Sequence, residues 1–214
     1  MKKHFKNTIL LALALVSGIT CFAQVRETTV YDDGSYYTGH RDAKGRRHGH
    51  GLMVWVNGDR YEGDWKKGEI EGEGTFTYAA YGYSYTGHFK KGLIQGHGTF
   101  RFTNGNIMEG DWTSIGTGTG YLLFADGSRY DGPFLNGLCH GQGVRSWPNG
   151  DRYEGSFVNG RMTGLGKMRS ADGSSYDGGW FEDQYEGEGT YISAEGEMIK
   201  GRFHAGQLVE QYDL

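Results

Sequence analysis

The 214-residue chain holds only two prolines and two cysteines. With proline scarce and glycine falling outside any every-third-residue pattern, a collagen helix is excluded. With so few cysteines, a disulfide framework is excluded as the source of stability. Basic charge is also short, at 22 Lys and Arg against 26 Asp and Glu. An acidic balance gives no electrostatic reason to bind nucleic acid or anionic lipid. Glycine and rings are abundant: 39 Gly, 15 Tyr, 11 Phe and 5 Trp. Disordered linkers are poor in rings. Many glycines with many aromatics predict tight turns alternating with half-buried strands.

The first residues form a separate object. Lys2 and Lys3 precede an apolar run from Thr8 to Val16, and small residues follow as far as Ala23. That order predicts a signal peptide, residues 1–23, cleaved to leave Gln24 first. The alternative is an uncleaved anchor, though the run is short for a membrane-spanning helix. Lipidation at Cys21 is a third reading, and Gly18-Ile19-Thr20 suits it poorly. Cleavage removes Lys2, Lys3 and Lys6, which takes the net charge from −4 to −7 and leaves Cys139 alone. The predicted location is secreted or periplasmic, with envelope association as the alternative.

Beyond residue 24 the chain repeats. The anchors Tyr37, Tyr61, Tyr85, Met108, Tyr130, Tyr153, Tyr176 and Ile199 each stand two residues before a glycine. Those glycines are Gly39, Gly63, Gly87, Gly110, Gly132, Gly155, Gly178 and Gly201, at spacings of 22 to 24 residues. Each interval also carries a Gly-x-Gly, from Gly49/Gly51 to Gly187/Gly189, and most carry an Asn-Gly or Asp-Gly doublet such as Asn57-Gly58. In Tyr61-Glu-Gly-Asp-Trp65, rings and glycine share one face of a strand and the acids take the other. The stretch Lys67 to Gly72 reads as a turn, and Gly74 to Tyr78 as the returning strand. Each repeat is then a β-hairpin, and the doublet turns the chain into the next one. The predicted fold is all-β: an elongated, single-layer antiparallel meander of tandem hairpins. It comprises an N-terminal half-repeat (24–36), seven repeats (37–198), and a C-terminal half-repeat and cap (199–214). The glycines after the anchors, Gly39, Gly63, Gly87, Gly110, Gly132, Gly155 and Gly178, are predicted to be structural. They leave room for a ring to lie on the backbone and permit bulges and positive φ.

The stretch from Tyr61 to Phe76, YEGDWKKGEIEGEGTF, resembles the MORN repeat, the membrane occupation and recognition nexus motif. The likeness covers about 27–206. It implies a curved or elongated hairpin sheet that serves as a protein-binding scaffold, with dimerisation and lipid association as further family traits. Some copies depart from the pattern. Arg41 replaces a ring in the first repeat, which carries an extra residue. The fourth repeat begins with Met108 and is one residue short. Asp183 replaces a glycine in the seventh. The fourth is internal, so an irregularity is expected there.

No catalytic constellation is found, and the reading is of a non-enzyme without cofactor. Gly116-Thr-Gly-Thr-Gly120 lacks the helix and Lys-Ser/Thr of a phosphate loop. His48, His50, His97, Cys139 and His140 fall in the first, third and fifth repeats, and repeats so separated lie too far apart for one metal shell. The recurring acids Glu62, Glu109, Asp131, Glu154 and Asp177 stand beside arginines and read as a solvated charged face. The rings Trp55, Tyr78, Phe102, Phe124 and Trp147, each four residues after a Gly-x-Gly, remain. No helix or second sheet is predicted to cover their face, so they are the candidate binding residues for a protein partner. A homodimer and a peripheral lipid- or envelope-binding module are the other arrangements the resemblance implies. The acidic charge disfavours the lipid reading.

Overall fold

The computed structural model describes residues 26–213, so the predicted signal peptide lies outside the described residues. Eighteen strands and no helix are found among them. They divide into two compact units, one ending at Thr103 and the other beginning at Asn104.

The first unit contains β1 (Glu27–Val30), β2 (Tyr36–Arg41), β3 (Arg47–Val54), β4 (Arg60–Lys66), β5 (Glu69–Tyr78), β6 (Tyr83–Lys90) and β7 (Leu93–Phe102). Each pairs antiparallel with the next, which makes a meander. The second unit contains β8 (Ile107–Ser114), β9 (Thr117–Leu123), β10 (Arg129–Leu135), the short β11 (Leu138–Cys139), β12 (Gly141–Ser146), β13 (Arg152–Val158), β14 (Arg161–Arg169), β15 (Ser175–Phe181), β16 (Gln184–Ile192), β17 (Met198–His204) and β18 (Gln207–Gln211). It is a meander as well; β11 and β12 together pair with β10. The expected all-β, single-layer antiparallel arrangement of tandem hairpins is what each unit shows.

Two kinds of turn connect the strands. Within most hairpins the turn is only two residues long, and both have positive φ: Lys67-Gly68 at 55° and 97°, Asn159-Gly160 at 51° and 84°. This mirror-image turn follows the strand twist. The stretch from Glu69 to Gly72, expected to belong to the turn, is already in β5. Asp183 occupies the glycine position at φ 68°, a conformation that Asp tolerates better than most residues. Between hairpins the doublet makes a longer loop closed by its own side chain. Asn149 Oδ1 accepts from Asp151 N at 3.1 Å, and Asp126 Oδ1 from Ser128 N at 2.8 Å.

The glycines form a row. Gly39, Gly51, Gly63, Gly74, Gly87 and Gly98 face one another strand by strand in the first unit. Gly143, Gly155, Gly166, Gly178, Gly189 and Gly201 do so in the second. Each anchor tyrosine lies across this row. A Cβ on Gly166 would stand 2.2 Å from the Tyr153 hydroxyl, and one on Gly74 would stand 2.4 Å from that of Tyr61. The room predicted for the rings is therefore real. Positive φ, also expected of these glycines, belongs elsewhere: Gly39, Gly63 and Gly155 do not have it, and Gly87 is near-extended at 156°. The strained conformation falls on the first glycine of the Gly-x-Gly, as at Gly72 (86°) and Gly164 (64°).

A bulge explains the division of labour. In most hairpins the register shifts just after the anchor's glycine, for example between Gly63 and Trp65 and between Gly155 and Ser156. A bulged residue leaves its carbonyl off the ladder. The anchor hydroxyl donates to that carbonyl: Tyr37 to His40 O (2.9 Å) and Tyr176 to Gly179 O (3.1 Å); Tyr130 donates likewise to Pro133 O (3.0 Å), which also accepts from His140 N (3.0 Å). The fourth hairpin has no shift at that point and no tyrosine anchor. Its Gly110–Gly120, Asp111–Thr119 and Trp112–Gly118 pairs run without a break, and its anchor is Met108, which has no hydroxyl. Its register shift falls nearer the turn, between Trp112 and Ser114, so no bulged carbonyl lies beside the glycine row for a tyrosine hydroxyl to meet.

The buried rings interlock edge to face. Tyr61 meets Trp65 at 5.3 Å and Phe89 at 5.3 Å; Tyr153 meets Phe157 at 5.2 Å and Trp180 at 5.0 Å. Each such pair adds about 1 kcal/mol beyond the area it buries. The anchor tyrosines are wholly buried, and Trp65, Phe89, Trp112, Phe134, Phe157, Trp180 and Phe203 nearly so. A single layer thus makes its own core.

Candidate functional site

The outer edge of this face is different. Moving along a strand from the glycine row past the anchor row brings the chain to the loops between repeats. There stand Trp55, Tyr78 and Phe102 in the first unit, and Phe124 and Trp147 in the second. All five are half-buried. None has been drawn into the zipper of anchors.

In the first unit these rings are joined by others. Trp55 stacks on Phe76 at 5.3 Å and 26°, Phe76 packs on Tyr78 at 4.3 Å, and Tyr78 on Tyr83 at 4.6 Å. Tyr83 continues to Phe102 at 5.7 Å. Tyr81 lies 76% exposed at the same loop, with Val56 at 72% nearby. The result is a strip of rings. Phe76, Tyr81 and Tyr83 were not among the expected site residues. The signal for them was the loop Tyr78-Ala-Ala-Tyr-Gly-Tyr83, which replaces the usual Asn-Gly doublet with tyrosines.

In the second unit Phe124 and Trp147 are bridged by a cation. The Arg145 guanidinium lies 4.6 Å from the Phe124 ring and 5.0 Å from that of Trp147. Arg145 occupies an anchor-row position, paired with Tyr130 on one side and Tyr153 on the other. Its Nε is buried without a partner. Trp147 begins its loop, donating to Asp151 O at 2.9 Å and accepting from Gly150 N at 3.0 Å.

The opposite face is polar. Arg60 pairs with Glu62, Arg129 with Asp131, Arg152 with Glu154, and Lys167 with Asp177. Threonines hydrogen-bond across strands, as Thr75 does with Thr86 at 2.9 Å. Most recurring acids are therefore neutralised by neighbours. Exposed pairs of this kind contribute little to stability. His50 lies 3.6 Å from Asp64, and His88 lies 3.2 Å from Glu73. No group of three His, Cys, Asp or Glu is placed to hold a metal ion among the described residues.

Burial perturbs several groups on the ring face. It pushes the Cys139 thiol up to about 11. It raises Tyr85, Tyr153 and Tyr176 to about 12. A thiol so placed is a core atom and a poor nucleophile.

A sequence model of the MORN repeat matches six segments: 43–60, 61–83, 85–107, 130–152, 153–175 and 176–198. The expected count was seven. The fourth copy, which lacks the tyrosine and the bulge beside its glycine, is the one passed over, although its hairpin of β8 and β9 is present. No curated protein sequence matches the chain. Among solved structures, the chain is similar to the TCP domain of Drosophila melanogaster SAS-4 in complex with a proline-rich motif of Ana2. Identity is 17%, covering 91% of this chain and 99% of that one, with a TM-score of 0.35. It is also similar to the TCP10 domain of Danio rerio CPAP in complex with a STIL peptide, at 14% identity, 92% and 100% coverage and a TM-score of 0.37.

Proposed function

The chain belongs to the MORN-repeat family, and on that premise we propose that it is a non-enzymatic scaffold that binds another protein through the aromatic face of its sheet. One observation carries the reading. The outer rings, Trp55, Tyr78 and Phe102 in the first unit and Phe124 and Trp147 in the second, stay half-exposed beside inner rings that are sealed within each unit. Interfaces are enriched in Trp, Tyr and Phe, and truncation of a central one is costly. The polar face already satisfies its charges internally and offers less to gain. The basic, apolar and small-residue order of residues 1–23 supports an extracytoplasmic location, secreted or periplasmic.

The test begins with capture and identification of the partner on the wild-type chain. Binding is then compared for Trp147→Ala and Glu154→Ala, with circular dichroism to establish that both fold. Trp147→Ala should weaken binding by about 2 kcal/mol or more. Glu154→Ala should cost less than about 0.5 kcal/mol. Normal binding by folded Trp147→Ala, beside a loss in Glu154→Ala, would move the interface to the polar face.

A further inference from the structure

The ring zipper closes six hairpins with an apolar cross-strand pair near the turn. The pairs are Trp65–Ile70, Phe89–Ile94, Phe134–Cys139, Phe157–Met162, Trp180–Tyr185 and Phe203–Leu208. In the first hairpin the same place is held by Arg41 opposite Arg47. Like charges set directly opposite each other on a sheet are destabilising. The cheaper solution is used in six other hairpins.

Neither guanidinium is neutralised. Arg41 donates to Gly45 O at 2.7 Å and to Thr29 Oγ1 at 2.8 Å, and lies 5.1 Å from the centre of the Tyr37 ring. Arg47 donates to Gly68 O at 3.0 Å, touches Met53 Sδ at 3.7 Å, and lies 4.3 Å from the centre of the Trp65 ring. Every one of these partners is uncharged. Arg46 beside them is already paired with Asp42 at 2.7 Å. A guanidinium has five N–H donors, so Arg41 and Arg47 each have some to spare. Both are half-buried and held flat by rings and carbonyls, which fixes their direction before any ligand arrives.

The two arginines line a cavity of about 620 Å³ at the N-terminal end of the first unit. Its size falls within the roughly 300–1,000 Å³ of small-molecule pockets. Val30, Tyr31, Met53 and Trp55 supply apolar wall. Arg46 and the exposed Asp32 and Asp33 line it too, and Asp33 is engaged by Ser35. The negative charge of the two aspartates penalises a dianion more than a monoanion. A plain end cap of the sheet would require polar groups toward water, but it would not require two cations facing each other.

We infer that this cavity binds a carboxylate carried on an apolar body, met either as a free organic acid or as the C-terminal residue of a peptide. The carboxylate sits between Arg41 and Arg47, and the apolar body lies against Met53 and Trp55. The site goes beyond the ring-row interface and shares only Trp55 with it. Failure of the Trp147→Ala test therefore leaves this inference standing, and the reverse also holds.

The experiment titrates the purified chain with N-acetyl-phenylalanine, N-acetyl-phenylalaninamide and inorganic phosphate, following the Trp55 indole and the Arg41 and Arg47 Nε–H by NMR. A peptide ending in free phenylalanine, beside its amidated form, separates the peptide source from the free acid by its relative affinity. The acid should give saturable shifts, with the amide and phosphate each at least tenfold weaker. Arg41→Phe with Arg47→Ile installs the residue types of Phe89 and Ile94; the melting temperature should hold or rise while affinity for the acid falls at least tenfold. Equal binding of acid and amide overturns the inference, as does phosphate binding as tight as the acid, absence of saturable binding, or a folded double variant that binds normally. The acid–amide comparison uses wild type alone, so it decides the matter even if the double variant does not fold.

Discussion

Within one repeat, Gly155 and Gly160 should respond very differently to the same added methyl group. A Cβ on Gly155 would lie 2.4 Å from the Tyr153 hydroxyl and 2.6 Å from Gly166 Cα, and one of these contacts is backbone. The strand cannot retreat without breaking its ladder, so the ring must leave. Expelling a wholly buried tyrosine forfeits about 2 kcal/mol of burial. The bond from its hydroxyl to Ser156 O, at 3.2 Å, is lost too, for about 1 kcal/mol. Gly155→Ala should therefore cost about 3 kcal/mol, and Gly155→Val at least as much. Gly160 sits in the hairpin turn at φ 84° with nothing within 4 Å of a Cβ. Gly160→Ala meets only backbone strain, about 1 kcal/mol. Tyr153→Phe keeps the ring and removes the hydroxyl, for about 1 kcal/mol. Urea unfolding followed by near-ultraviolet circular dichroism measures all three, with equal slopes required before midpoints are compared. If Gly155→Ala is no worse than Gly160→Ala, the glycine row is not there to seat the rings.

Three other outcomes are expected. Tyr85, Tyr153 and Tyr176 are raised by burial to about 12 from an ordinary 10. The folded state holds their protons longer than the unfolded chain does, so this stabilisation is complete below pH 10 and drains away as pH climbs toward 12. Melting temperature should fall across that window with tyrosinate absorbance appearing at unfolding; a constant melting temperature to pH 12 would contradict the burial. Cys139, lifted to about 11, should resist thiol reagents at pH 8 in the native protein and react fully in urea; rapid native labelling would mean that its strand opens. Binding of the partner should survive Glu154→Ala and not Trp147→Ala, measured on the captured partner as described above.

Much of this architecture can be seen in the residue order because one unit recurs. The interval from Tyr61 to Tyr85 repeats the same ring, glycine and turn positions found elsewhere, and a translation along a sheet copies them faithfully. That Gly63 makes room for Tyr61 follows from spacing alone. The bulge does not, since it depends on how the two arms of a hairpin are counted against each other, and it moves the positive φ from Gly63 to Gly72. Arg41 opposite Arg47 is hidden for the same reason: the loop between them holds an extra residue, so only the paired register shows them facing. Arg145 stands at an anchor-row position that is apolar in most other strands, and its place between Phe124 and Trp147 arises from packing. The five outer rings were visible as a set. Tyr81 and Tyr83 were not, because their loop abandons the doublet by which the others were found.

The bulge also acts as slack in the chain. Gly39 faces Gly51, Gly63 faces Gly74, and Gly110 faces Gly120, with one residue fewer in the hairpin at each step. In an ordinary strand a single insertion or deletion would turn every later side chain to the wrong side of the sheet. Here the change is absorbed between the glycine pair and the turn, and the next strand starts in phase. Loss of one residue from an internal hairpin, with its tyrosine exchanged for methionine, should thus be a mild event for the rest of the array. The protein can lengthen or shorten its units without reversing its two faces, as the fourth hairpin has already done.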